Sequence, residues 1–454
     1  MNSLKWLYPG MRLKRWFLLF AVGVLLGSIG LAVIFNYKYI GVMEEEVFRL
    51  AYRLTGQYAY TASVIVGIFT ILAGLVLMWL AVLQIIQSII SVLVPEGSDK
   101  LIELIYEKRK LGRGPNIVVV GGGTGLSVLL RGLKRYTSNV TAIVTVADDG
   151  GSSGRLREEL GIIPPGDLRN CLVALADTEP LMEKLFQHRF GGHGGLQGHS
   201  FGNLFIAAMC EILGDFEQAI KASSKVLAVR GQVIPSTLQA IRLFAEFQDG
   251  TTTQGESAIP KVGKPIKRVY IQPEDPEPPA DALEALLEAD AIVLGPGSLY
   301  TSVLPNLLVK GISEAIRKSD AIKVYVCNVM TQPGETNGFS ASDHVRVVVD
   351  HVGAGLIKHC IVNTQAVPEP LFNKYAEENA FPVVADVEAI EKLGIHVVRE
   401  RLISEADLVR HDSQKLSRAI IKLILKLKSG SDRIKVLDYY LLGEKLKKRH
   451  LPDS

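Results

Sequence analysis

Apolar and polar positions alternate along this chain in blocks of very different length. Two blocks carry no charge: Trp16 to Tyr37, 22 residues, and Leu54 to Pro95, 42 residues. About 20 apolar residues cross a bilayer, so each block is long enough to span one. Further on the apolar runs shorten to Ile117–Val120, Val140–Val146, Ala291–Leu294 and Ile322–Val326. Such short, uninterrupted runs suit strands buried on both faces of a parallel sheet. Helical stretches separate them: Leu126–Arg135, Leu168–Ala176, Phe201–Ile212 and Val303–Lys318. Alternation of strand and helix predicts a doubly wound α/β fold with a mostly parallel sheet. The middle of the chain departs from this pattern. Ala240–Phe247 and Thr251–Ile259 flank Gln248-Asp249-Gly250, with Lys267–Ile271 following. That arrangement predicts an antiparallel hairpin insertion around an Asp-Gly turn.

The distribution of charge orients the two apolar blocks. Lys5, Arg12, Lys14 and Arg15 precede the first, which is too long for the core of a signal peptide. Between the blocks, Lys38, Arg49 and Arg53 are offset by Glu44, Glu45 and Glu46, and after the second come Lys100, Lys108, Arg109, Lys110 and Arg113. The positive-inside rule then predicts a transmembrane hairpin over residues 1–95 in the plasma membrane, with both termini cytoplasmic. Residues 96–115 read as a charged helix and a Gly/Pro-broken linker, and residues 116–454 as one large cytoplasmic domain.

Composition sharpens this reading. The 454 residues carry 50 Lys and Arg against 47 Asp and Glu, a net charge of +3, with 48% hydrophobic residues. A mean hydropathy of +0.23 excludes a disordered chain. Cys171, Cys210, Cys327 and Cys360 are scattered without a Cys-x-x-Cys pair, so neither a zinc site nor a disulfide framework is expected. Lys415 to Arg449 holds eleven Lys or Arg and three Asp or Glu. This basic tail is either a solvated face or a surface for anionic lipid. Nucleic acid is not an expected partner, since the remaining chain is net acidic and holds no recognition motif.

Four glycines within five residues, Gly121-Gly122-Gly123-Thr124-Gly125, join the first strand to the first helix. Glycines let backbone amides approach a phosphate, and the helix start adds partial positive charge. The loop is neither a dinucleotide fingerprint, because Leu126 occupies the third glycine's place, nor a Walker loop. The second strand ends in Asp148-Asp149-Gly150-Gly151-Ser152-Ser153-Gly154-Arg155. Its acidic pair is the candidate for ribose or sugar contact, for catalysis or for Mg²⁺, and Gly150, Ser152, Ser153 and Arg155 are candidates for phosphate contact. Asp167, Arg169 and Asn170 stand at a helix start, as do His199 and Asn203 after a Gly-rich, lid-like stretch, Gly191 to Gly198. Gly295, Gly297, Ser298 and Thr301 repeat the logic of strand, Gly loop and helix, and Asn328, Thr331, Gln332 and Glu335 follow the next strand. No Ser-His-Asp elbow, His-Glu-x-x-His run or nucleophilic Cys context is present, which argues against hydrolase chemistry.

At these motifs the sequence resembles the YvcK/CofD-like family, the gluconeogenesis factors related to 2-phospho-L-lactate transferases. The matching pieces are Gly121 to Gly125, Val146 to Gly154, Pro164 to Asn170, His199 to Asn203, Leu227 to Gly231 and Gly295 to Ser302. The resemblance covers Asn116 to about Arg410 and leaves out the membrane hairpin. It implies a Rossmann-like fold and a ligand of the UDP-N-acetylglucosamine type, with an influence on cell shape, cell-wall precursor supply and gluconeogenic growth. Carried over, phosphate contact falls on Gly122, Gly123 and Thr124, sugar or base contact on Asp148 and Asp149, and Arg230 joins the binding residues. The transferase branch implies Mg²⁺-dependent movement of phospholactate from a guanosine diphosphate carrier. A homo-oligomer is the expected assembly. The broken Gly fingerprint disfavours a dinucleotide oxidoreductase.

Overall fold

The computed structural model describes residues 111–177, 180–404 and 409–428, together with single helical residues between Val24 and Arg109. The chain divides into two compact units, Met1–Arg109 and Lys110–Ser454. The expected transmembrane hairpin falls in the first and, apart from a few single positions such as Val24, Ser28 and Trp79, lies outside the described residues. Among the described residues no helix is long and apolar enough to cross a membrane. The basic tail is described only as far as Lys428.

The second unit is α/β. Seven strands form its main sheet: β1 Ile117–Gly121, β2 Val140–Val144, β3 Gln232–Pro235, β7 Ala291–Leu294, β8 Ile322–Val326, β9 His359–Asn363 and β10 His396–Glu400. They lie in the order β10-β9-β8-β7-β1-β2-β3. Every neighbouring pair is parallel. β1, β2, β7 and β8 coincide closely with the apolar runs of the sequence, and β1, β7 and β8 are buried along their whole length. The chain runs outward from β1 through β2 to β3, returns to β7 beside β1, and runs outward the other way. Right-handed crossovers place the helices of the two halves on opposite faces and leave a crevice at the reversal, beyond the carboxyl ends of β1 and β7.

Six helices matter for that crevice: α1 Gly123–Leu133, α2 Gly151–Leu160, α3 Gly166–Leu175, α4 Phe201–Leu213, α5 Ala341–Val352 and α6 Ser413–Leu427. Each of the first four begins at one of the polar or Gly-rich motifs. Helix α6 packs on α1 at Gly132, where any side chain would collide with Ser417 and the Ser413 carbonyl. The helix expected over Val303–Lys318 is broken. A wide π turn covers Leu299–Val303, followed by helices Leu304–Leu307 and Lys310–Lys318. Such wide turns often sit at functional sites, and this one follows the second Gly loop directly.

The antiparallel insertion is a separate three-stranded sheet, not a two-stranded hairpin. Its strands are β4 Arg242–Phe247, β5 Thr252–Gln254 and β6 Ile266–Gln272, in the order β5-β4-β6. The Asp-Gly turn is where the sequence puts it: Asp249 accepts from the Thr251 amide and hydroxyl and pairs with Lys264 at 2.6 Å. The second arm stops at Gln254, and Gly255 begins a strap that ends in the short helix Ile259–Val262.

Candidate functional site

The two Gly loops meet at the reversal of the sheet. Gly123 has φ +65°, a conformation open to glycine at little cost, and there the chain turns from β1 into α1. A Cβ on Gly125 would lie 2.8 Å from the Pro296 carbonyl oxygen, and one on Gly297 would lie 3.2 Å from the Gly122 carbonyl oxygen. The loops therefore touch backbone to backbone. Asn306 fixes the contact from below, donating to the Gly121 carbonyl at 3.1 Å.

A cavity of about 340 Å³ opens over these loops. Gly122 to Gly125 form one wall, Gly297, Ser298, Ser302, Asn328 and Gln332 another, and Tyr375 and His411 a third. Asn328 donates to the Gly297 carbonyl at 2.9 Å, and Gln332 to the Ser298 hydroxyl at 2.6 Å. His411 is 9% exposed, and burial pulls its pKa down to about 4 against a hydrogen bond that the ring donates to the Cys327 backbone, so it is neutral. Its Nε2 has no partner. A larger hollow of about 480 Å³ lies at the amino edge of the sheet, around Asn116, Ser138 and Gly231, away from every Gly loop. Ligands of doubly wound sheets bind at the carboxyl edge, so the smaller cavity is the functional candidate.

Acidic groups from several segments gather beside the Gly loops. Asp167 is held up to about 7 by burial and then by Asp148, although it accepts from the Gly123 amide and faces Arg169. Glu335 is 7% exposed and held up to about 7 by burial, against hydrogen bonds from Thr301 and the Tyr300 amide. Its Oε2 has no partner. Glu256, carried by the strap, is held up to about 8 by burial and then by Asp148, Asp167, Asp149 and Glu335.

Behind the acidic groups lies a polar wall built from helix starts. Asn203 donates to Ser152 at 3.1 Å and Ser153 at 3.3 Å, and His199 Nδ1 lies 3.1 Å from the Ser152 hydroxyl. Arg169 donates to Asn203 at 2.9 Å, to Asn170 at 2.8 Å and to Ser200. Ser200 also caps α4 by accepting from the Asn203 amide.

Several expected contacts have other roles. His199 is buried and braces Ser152, so it does not stand at the cavity surface. Arg155 donates to the Gln197 carbonyl at 2.6 Å and fastens the Gly-rich stretch instead of facing a phosphate. Thr301 is turned onto Glu335 at 3.3 Å. Arg230 stands just before β3, at the opposite edge of the sheet, paired with Asp177 at 2.7 Å. The two carboxylates of the acidic pair make separate contacts. Asp148 Oδ1 accepts from the Gly150 amide, and its Oδ2 would lie 2.6 Å from a Cβ on Gly166. Asp149 instead accepts from the Ser257 amide at 2.9 Å and packs against Gly255. Adjacent residues at a strand end point to opposite sides, which accounts for the split. Among the described residues no group of three or more His, Cys, Asp or Glu is arranged to hold a metal ion. Sequence reading missed Glu256, Tyr375 and His411, which reach the crevice from segments without a motif of their own.

Comparison with known proteins agrees with this geometry. The family model for 2-phospho-L-lactate transferase CofD matches residues 117–403. The chain belongs to the CofD family. Within it, a relative from Clostridium acetobutylicum is 45% identical over 459 residues, covering 98% of this chain and 97% of its own. The gluconeogenesis factor of Bacillus subtilis is 51% identical over 315 residues, covering 69% of this chain and 99% of its own. A crystal structure of a Bacillus halodurans protein is 55% identical with a TM-score of 0.66, covering 68% of this chain and 99% of that one. This CofD-family chain is thus a gluconeogenesis-factor homologue, and its relatives come in two lengths. The Clostridium match takes in the N-terminal segment, whereas the Bacillus proteins correspond to about two thirds of the chain.

Proposed function

We propose that this protein binds a nucleoside diphosphate sugar of the UDP-N-acetylglucosamine type and regulates carbon flux into cell-wall precursors and cell shape. The observation that carries this reading is the pair of Gly loops meeting at the reversal of the sheet, with the start of α1 facing the cavity. First-turn amides have no intrahelical acceptor and favour an anion, so the diphosphate belongs over Thr124 and Gly125. Tyr375, neutral His411, Asn328 and Gln332 offer a base a ring face and amide groups. The protein acts at the plasma membrane through its N-terminal hairpin, with the α/β unit on the cytoplasmic side. Support for the anchor is the pair of uncharged blocks with their basic flanks.

Calorimetry on a fragment beginning at Arg113 tests the ligand. The Bacillus proteins, whose whole length corresponds to about two thirds of this chain, support the use of such a fragment. UDP-N-acetylglucosamine, GDP and NADPH are titrated with and without Mg²⁺. The expected result is saturable binding of the UDP-sugar without turnover. Binding of GDP with no response to the UDP-sugar overturns the preference, and failure of all three ends the Gly-loop argument.

The family match supports a second reading, transfer of a phospholactyl group from a guanosine diphosphate carrier to an acceptor hydroxyl in the same crevice, the diphosphate bond breaking and guanosine monophosphate leaving. Asp167, held up to about 7 by burial, suits proton transfer in such a reaction. This reading predicts Mg²⁺-dependent product formation from a guanosine diphosphate carrier, lost in Asp167→Asn.

A further inference from the structure

The strap between β5 and β6 is pinned on both sides of the crevice. At one end the Ser257 amide donates to Asp149 at 2.9 Å, and Gly255 approaches the same carboxylate too closely for any side chain. At the other end Gly334, in the loop after β8, lies against the Pro260 carbonyl with no room for a Cβ. Ile259 is fully buried between these two points. Glu256 is therefore held in place across the acidic side of the crevice.

One feature sets Glu256 apart from Asp148 and Asp167. Asp148 accepts from the Gly150 amide and Asp167 from the Gly123 amide, whereas the Glu256 carboxyl has no hydrogen-bond partner among the described residues. Glu335, which also acts on Glu256, keeps a buried oxygen without a partner. The first-turn amides of α1 suit a ligand's phosphates better than these acceptor groups do, and in the proposed function the base takes the wall around Tyr375 and His411. What fits here is the part of a ligand that presents several hydroxyl or amide donors to acceptor oxygens.

We propose that Glu256 is a specificity-determining residue, carried by the strap, that accepts hydrogen bonds from the sugar of a nucleoside diphosphate sugar and distinguishes it from the bare diphosphate. This deepens, and rests on, the proposed function. Glu256 plays no part in holding the diphosphate, so its removal affects the two ligands unequally. Losing one hydrogen bond of this kind costs about tenfold in affinity.

The test compares UDP and UDP-N-acetylglucosamine binding to the full chain in detergent micelles, for wild type, Glu256→Ala and Glu256→Gln. Wild type is expected to prefer the UDP-sugar. Glu256→Ala is expected to keep the wild-type affinity for UDP and lose about tenfold for the UDP-sugar, and Glu256→Gln, which retains a carbonyl acceptor, to recover part of that loss. An unchanged preference in Glu256→Ala overturns the inference, as does equal weakening of both ligands, which marks a strap that only supports the fold. Failure of wild type to bind either nucleotide defeats the proposed function itself, and the inference with it.

Discussion

At the residue scale, the crevice is defined by carboxyl groups that the fold keeps close to neutral. Glu335 is the most enclosed of them, in contact with Thr301 and the Tyr300 amide and in the field that also acts on Glu256. Its carboxyl is raised to about 7 from 4.5. The folded state thus binds its proton more tightly than the unfolded chain does, so this residue lowers stability progressively as pH rises from about 4.5 to about 7. Glu335→Gln removes the ionisation while keeping the shape. It should raise unfolding stability at pH 8 by the order of 2 kcal/mol and leave it nearly unchanged at pH 4.5, measured by denaturant unfolding at the two pH values. An equal effect at both pH values contradicts the assigned cause. Little of this was legible in the sequence, because burial is set by tertiary packing, and the groups that oppose the shift, Thr301 and the Tyr300 amide, lie far from Glu335 along the chain. Asp148 and Asp149 show the same limit. Their adjacency suggested a division of work between a sugar or base and Mg²⁺, and what the sequence does not show is that one faces the Gly150–Gly166 region and the other holds the strap.

At the element scale, the decisive unit is the contact between two strand-to-helix turns. Gly125 has space for a hydrogen and not for a methyl group, since a Cβ would sit 2.8 Å from the Pro296 carbonyl. Gly125→Ala must push the β7 loop outward and so widen the cavity. It should lower affinity for UDP-N-acetylglucosamine at least tenfold, a loss of about 1.4 kcal/mol, while the far-UV spectrum stays unchanged. Full affinity in the variant shows that the two loops do not act as one site. The sequence exposed this unit well, because a buried apolar run followed by glycines and a helical pattern identifies β1 with α1 and β7 with its Gly loop, although the π turn after that loop was not legible. It was less informative about β3, β9 and β10. Gln232–Pro235 is four residues long, and His359–Asn363 and His396–Glu400 have polar ends, so none stands out as an apolar run. The strap was read as the second arm of a hairpin for a comparable reason: Thr251 to Thr253 has strand character, and only the tertiary contacts of Gly255 and Ser257 stop it.

At the scale of the whole molecule, the relatives divide into proteins matching nearly all of this chain and proteins matching about two thirds of it. The crevice belongs to the shared part, so ligand binding and membrane attachment should separate. Cell fractionation is expected to leave the intact chain with the membranes and release a fragment beginning at Arg113, both with the same affinity for ligand. An intact chain recovered without detergent in the supernatant rules out the anchor. One contact bears on how such a molecule would behave in a cell. The carboxylate of Asp167 already occupies the Gly123 amide at the start of α1, where an incoming phosphate would otherwise find an unopposed positive end. Some of the attraction of that helix for anions is therefore used up before any ligand arrives. If the protein has the proposed function, a site built this way would release its ligand readily, and its occupancy would follow the ligand's concentration in the cell instead of saturating at the first trace of it.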